Sequence, residues 1–246
     1  MYHSGETTDL DHVVRRLARD NPEQPLVAIG FSLGGNVLLK WLGELGSGVP
    51  AQFLAAVAVS VPYDLERGSR HLEHGLSRIY ARGFLRSLRK KAALKHSRHP
   101  SLFDLSRLAQ AQTLYDFDNA VTAPMHGFVD AHEYYHRSSS MHFIGRVQRP
   151  TLLLSAYDDP FLPRDVLVDV AKVASLNPYI TTEFASHGGH VGFVSGRVPL
   201  FARYYAEQRS MHYLSRQLAG QAKGIHRSAV NVAQRPSTTD RVGHRK

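Results

Sequence analysis

The sequence predicts an α/β fold: a mostly parallel sheet flanked by helices, with a helical insertion between two parts of the core. Three observations carry that expectation. The runs LVAIGF (26–31), AQFLAAVAVSV (51–61) and TLLLSA (151–156) are nearly all apolar, as strands buried on both faces should be, and YITTEF (179–184) is a fourth candidate. Segments of helical periodicity alternate with them. The long piece from Tyr63 to Arg149 then interrupts the alternation with helix-rich sequence.

Taken in order, residues 8–20 (TDLDHVVRRLARD) place Leu10, Val13, Val14 and Leu17 at helical spacing behind an acidic start. Asn21-Pro22 and Pro25 end that helix, and LVAIGF follows as the first strand. A glycine-rich turn leads into a helix through Leu45, and then comes the second strand. The insertion is basic in its first half and aromatic in its second. Pro150 precedes TLLLSA, and Val166, Leu167, Val170 and Val173 mark a helix from Pro163 to about Leu176, ahead of YITTEF. After Leu218 the composition turns polar and patternless, which reads as disorder. The expected organisation is a first core part with a nucleophile turn (1–62), a helical cap (63–149), a second core part (150–218) and a disordered basic tail (219–246).

The totals narrow the function classes. An apolar fraction of 43% and a charged fraction of 21% are those of a soluble globular chain, and 246 residues suffice for one sizeable core. The absence of cysteine excludes disulfides and thiolate zinc sites and fits a reducing, cytoplasmic setting. No apolar run reaches about 18 residues, so no membrane span is expected, and the polar start MYHSGETTDLDH has no signal-peptide core. The formal charge of +9 concentrates in SRIYARGFLRSLRKKAALKHSR (77–98) and after Gly220. Neither stretch matches a nucleic-acid-binding motif, so no nucleic acid is expected. The plain reading is a solvated face, and the sharper one is peripheral contact with an anionic membrane.

The chemistry lies at the strand ends. Gly30-Phe31-Ser32-Leu33-Gly34 sits between a strand and a helix, the setting in which a sharp turn exposes a serine hydroxyl and the helix start favours an oxyanion. Taken alone, the pentapeptide could be a turn and nothing more. A serine needs a base and an orienting acid, which this fold supplies in the order acid, then histidine. TLLLSA runs into Tyr157-Asp158-Asp159-Pro160, and YITTEF into His187-Gly188-Gly189-His190, both at ends of parallel strands where such sheets bind ligands. Asp159, ahead of Pro-Phe-Leu-Pro, fits the orienting acid better than Asp158, which suits bonding the turn's backbone. His190 fits the base better than His187. The segment His132-Glu133-Tyr134-Tyr135-His136 also spells the zinc-peptidase signature H-E-x-x-H, but no third ligand pattern follows, and a cap helix is the plainer reading.

The elbow GFSLGGNVLLKWLGE, the segment DFDNAVTAPMHGFVDAHEYYHRSSS, the acid loop SAYDDPFLP and the base loop HGGHVGF together resemble the YheT-like branch of the α/β-hydrolases, the AB hydrolase 4 family, over roughly residues 2–218. The resemblance implies a serine hydrolase of carboxylic esters, without metal or organic cofactor, with Ser32, Asp159 and His190 as triad and the Leu33 N–H as oxyanion donor. It also makes HEYYH a piece of cap helix. Family members carry further strands and a His-Gly loop ahead of YHSGET, whereas 31 residues precede Ser32 here. The expectation is therefore a chain lacking the front of its sheet and its second oxyanion donor, with a non-catalytic relic of the fold as the rival reading. The partner expected is a small-molecule or lipid ester, met by a monomer. Phe84, Leu85, Leu88, Phe128, Tyr134 and Tyr135 are candidates for an acyl pocket, or else for the core of the cap.

Overall fold

The computed structural model describes residues 2–195 and 203–233. The chain begins with helix α1 (Thr8–Asp20), strand β1 (Leu26–Phe31), helix α2 (Leu33–Leu45) and strand β2 (Phe53–Val59). Helices α3 (Leu65–His71), α4 (Ser77–Arg98), α5 (Leu105–Gln110), α6 (Leu114–Phe117), α7 (Ala123–His126) and α8 (Ala131–Ser138) follow. The chain then returns to strand β3 (Thr151–Ala156), helix α9 (Arg164–Ser175) and strand β4 (Ile180–Ala185). The short strands β5 (Val194–Ser195) and β6 (Arg203–Tyr204) and the long helix α10 (Tyr205–Ala233) complete it.

The strands β1 to β4 form one parallel sheet in sequence order. Because side chains alternate across a strand, the apolar runs feed two faces. Ala55, Val57, Val59, Leu152, Leu154 and Ala156 meet Ala206, Tyr213 and Leu214 of α10. From the other face, Ala58 and Leu153 pack with Leu39 of α2 and Val166, Leu167 and Val170 of α9. Trp41 and Leu42 of α2 extend this layer against Val14 of α1. The interior strands β2 and β3 are therefore dry on both sides, and their carboxyl ends all point the same way.

Strand β1 departs from the expectation of burial on both faces. Ile29 is 36% exposed and Phe31 41% exposed, because β1 pairs with β2 alone among the described residues. The tail also differs from expectation. Residues 219–233 continue α10 instead of forming a patternless coil. That stretch carries four alanines and meets no proline before Pro236, so helix continues through it despite Gly220 and Gly224. The rest of the expected tail, 234–246, lies outside the described residues. The antiparallel pair β5–β6 was not legible in the sequence.

Between β2 and β3 the helices build their own packing. Leu85 and Ala92 of α4 bury against Phe103, Leu108, Phe117 and Val121, while Leu65, Ala131, Tyr134 and Tyr135 form a second cluster. Two polar ties fasten this layer to the sheet. Arg67 of α3 pairs with Asp165 and, at 2.9 Å, with Asp169 of α9. Buried Asn36 of α2 donates to the carbonyls of Ser4 (2.9 Å) and Ser138 (2.8 Å) and accepts from the Ser140 N–H (2.9 Å). One amide thus joins the N-terminal segment, the helix after β1 and the end of α8.

Candidate active site

Strand β1 delivers Ser32 into the turn before α2 with φ of 50° and ψ of −122°. A side chain is rare in that region of φ/ψ space, and the conformation persists because its surroundings fix it. The Ser32 N–H donates to the Val59 carbonyl at 2.8 Å, and the Ser32 carbonyl accepts from Gly35 and Asn36. The close fit falls on the motif's first glycine and on Gly35 just beyond it, not on the motif's second glycine. A Cβ on Gly30 would lie 2.7 Å from the Gly34 carbonyl oxygen, and one on Gly35 would lie 2.5 Å from Val61. A Cβ on Gly34 would meet nothing within 4 Å. The start of α2 also leaves the Leu33 N–H without an intrahelical acceptor, beside the serine.

Asp159 and His190 reach this turn from the ends of β3 and β4. Asp159 is only 3% exposed. Its Oδ2 accepts from His190 Nδ1 at 2.8 Å and its Oδ1 from the Phe161 N–H at 2.8 Å. An imidazole that donates through Nδ1 is, when neutral, an acceptor at Nε2. There the Ser32 hydroxyl donates at 2.9 Å. The ring is held on a third side by Phe161, edge-on with centroids 4.4 Å apart.

The neighbouring candidates are placed otherwise. Asp158 accepts from the N–H groups of Gly188 and Gly189, both at 2.9 Å, and from the exposed His187 ring at 3.3 Å. The Gly189 and Gly188 N–H groups hold its carboxyl below the usual carboxylate range. It therefore anchors the loop that carries His190. The two glycines of that loop serve different ends, close packing at Gly188 and a left-handed turn at Gly189. A Cβ on Gly188 would come within 2.6 Å of the Phe193 ring, and Gly189 takes φ of 64°.

The H-E-x-x-H segment lies on α8 with its two histidines in different company. His132 Nδ1 meets Glu66 at 2.8 Å, and the His136 ring stacks on His142. Glu133 accepts from the Val129 N–H and from Arg137, while Tyr134 and Tyr135 are buried. Among the described residues no three His, Asp or Glu side chains are grouped to hold a metal ion.

Ser32, Leu33 and His190 line a cavity of about 420 Å³, walled mainly by apolar side chains. Of the acyl-pocket candidates, Phe84 and Leu88 line it, Tyr134 and Tyr135 line it while also forming the second cluster, Leu85 lies within the first cluster and Phe128 packs against the second. Among the cavity residues that sequence reasoning missed, three bear on the chemistry. Phe161 is one. His3 is another, half-buried against His126, Phe128 and Tyr134. Its burial, reinforced by His126, lowers its pKa to about 4, so it is neutral at pH 7. The third is Asp118, whose carboxylate accepts from Tyr135 (2.6 Å) and Thr122 (2.5 Å) inside a π-turn. Burial raises its pKa to about 6 against those two bonds. A signal for Asp118 lay in its spacing, four residues after Leu114 and three before Val121 on one helical face, whereas Asp116 falls off that face and is exposed.

A strained serine at a strand-to-helix turn, met by an imidazole and a buried carboxylate from later strand ends, defines the class, and the comparisons agree. The chain belongs to the alpha/beta hydrolase fold family, which matches residues 2–196. It is similar to YheT of Escherichia coli (strain K12), 39% identical over 217 residues that cover 87% of this chain and 62% of YheT. It is 31% identical to mouse phospholipase ABHD3, covering 82% of this chain and 49% of that protein. With the monoacylglycerol lipase of Saccharomyces cerevisiae it shares 32% identity, over 84% of this chain and 46% of the lipase. The chain thus spans 62% of the first relative and about half of the other two. Among solved structures, a Pyrococcus furiosus esterase aligns with a TM-score of 0.49 and 16% identity, over 86% of this chain and 62% of that one.

Proposed function

We propose that this chain hydrolyses carboxylic esters through Ser32, His190 and Asp159. The observation that carries the reading is His190, hydrogen-bonded at once to the Ser32 hydroxyl and the Asp159 carboxylate. His190 Nε2 takes the Ser32 proton as Oγ attacks the ester carbonyl, and the carboxylate of Asp159 stabilises the imidazolium that forms. The Leu33 N–H donates to the oxyanion of the tetrahedral intermediate. His190 then protonates the departing alcohol, leaving an acyl group on Ser32. Water, deprotonated by the same imidazole, releases the acid and restores the serine.

The substrate on this reading is a small-molecule or lipid ester whose acyl part enters the apolar cavity beside Ser32. The phospholipase and monoacylglycerol lipase among the relatives favour the lipid end of that range. A lipid ester is met at a membrane surface, and the basic stretch 77–98 suits an anionic one. All three reacting groups come from one copy, so the proposed reaction needs no second chain.

A fluorophosphonate probe tests the proposal, because it reacts only with an activated serine. Labelling of the native chain that is lost in Ser32→Ala and in His190→Ala supports it. Labelling that survives Ser32→Ala overturns it, as does a native chain that hydrolyses no short-chain aryl ester and takes no probe.

A further inference from the structure

Helix α4 has two faces with different fates. Leu85 and Ala92 are buried among the insertion's helices, and Phe84 and Leu88 line the cavity that holds Ser32 and His190. The outward face keeps large apolar groups in solvent. Leu76, just before the helix, is 80% exposed, Ile79 is 66% exposed, and Tyr80, Phe84 and Leu94 are also exposed. Phe84 belongs to both sets, so the exposed apolar end of the helix runs without a break into the cavity wall.

The charge on this helix is one-signed. Its 22 residues include Arg78, Arg82, Arg86, Arg89, Lys90, Lys91, Lys95 and Arg98 and no Asp or Glu. The acids nearest in sequence, Glu73 and Asp104, lie beyond its two ends. None of those cations forms an ion pair among the described residues, whereas the arginines of α1 and α3 are paired with carboxylates. Lys90 sits on the same outward side as Ile79 and Leu94, about three turns from the first and one from the second, and Lys91 flanks it. A helix that merely faced water would gain nothing from large apolar groups beside unpaired cations. One that lies in a lipid headgroup layer gains from both.

We infer that the outward face of α4 docks on the surface of an anionic phospholipid membrane. The apolar end, Leu76 to Phe84, enters the headgroup–acyl boundary, and the basic end, Arg86 to Arg98, lies against the phosphates. Phe84 then places the cavity mouth at the bilayer. The ester-hydrolase reading adds only the consequence, a lipid ester entering from the membrane; the docking stands apart from it.

The test is cosedimentation of the full chain with phosphatidylcholine vesicles and with the same vesicles carrying about one-third phosphatidylserine, at low and high salt. Binding to the anionic vesicles alone, weakened by salt, is the expected result. Each basic residue near the surface is worth about fivefold in partitioning, so Lys90→Glu with Lys91→Glu reduces binding at least about tenfold. Ile79→Ser reduces it independently, at unchanged charge. Circular dichroism shows that each variant is folded, and Ser32→Ala binds as the native chain does, whatever the outcome of the probe experiment. Equal binding to neutral vesicles, no binding to either, or folded Lys90→Glu/Lys91→Glu protein that binds like the native chain overturns the inference, the last by assigning the contact to another surface.

Discussion

The ring of Phe161 stands edge-on to the His190 imidazole, 4.4 Å between centroids. Phe161 in turn meets Tyr80 at 5.0 Å and Phe84 at 6.0 Å on α4, and its N–H is held by Asp159. One side chain thus links the base of the proposed triad to the helix over the cavity. Replacing it with alanine leaves both hydrogen bonds of His190 available but removes the wall that fixes its angle. An ångström of misplacement costs up to about a hundredfold. Phe161→Ala should therefore lower kcat roughly ten- to a hundredfold with a smaller change in KM. Steady-state hydrolysis of a soluble aryl ester measures it, and a variant with native kcat sinks the positioning role.

The paired aspartates separate by experiment. Asp159→Asn keeps the shape but offers an amide where Nδ1–H needs an acceptor, which favours the wrong tautomer and should cost about 10⁴ in kcat. Asp158→Asn weakens the clamp on the Gly188 and Gly189 N–H groups without touching the imidazole. Its loss should be no more than about tenfold, since neutral acceptors still hold a loop. The stability that Asp158→Asn removes should also vanish in acid. Asp158 has a lowered folded pKa, so its stabilisation is present above the unfolded carboxylate pKa and fades as pH falls through the lower folded value. Comparable losses in the two variants at neutral pH would refute this division of labour.

How much of this was legible follows from the range of each interaction. The strands FLAAVAV and TLLLSA could be read because burial on both faces leaves only one composition. The order Ser32, Asp159, His190 could be read because parallel strands put all their carboxyl ends at one edge. What escaped depends on contacts between segments far apart in sequence. Nothing in SHGGHVGF says that Phe193 will lie over Gly188, and nothing in LVAIGF says that, among the described residues, it has a neighbour on one side alone. The roles of His3 and Phe161 likewise exist only once the N-terminal segment and α4 close over the sheet.

The glycines of the turn make a prediction that motif matching does not. Gly30→Ala drives a methyl against the backbone of Gly34 and Gly35, neither of which has room to yield. The cost is about 3 kcal/mol or more. Gly34→Ala, at the motif's final glycine, places its methyl in open space and should leave stability within about 1 kcal/mol. Denaturant unfolding of the two variants decides it, and equal destabilisation would contradict the packing described.

Asp118 gives the stability of this chain a pH dependence opposite to that of an ordinary surface carboxylate. Burial raises its folded pKa from 3.8 to about 6, opposed by the bonds from Thr122 and Tyr135. A raised folded pKa means that the protonated form is the one the fold prefers. The associated stability is complete below the unfolded pKa and is lost as pH rises through about 6. A carboxamide in its place has no acidic proton to lose, so Asp118→Asn should gain on the native chain between about pH 4 and pH 7 and then level off. The gain is at most about 3 kcal/mol, less to the extent that the carboxylate borrows solvation from the cavity. Contributions of every other titrating group cancel in the difference between the two proteins. Thermal unfolding of both across that range tests the assignment. A difference that stays flat, or that shrinks as pH rises, would mean that Asp118 is charged at little cost and that its two donors outweigh its burial.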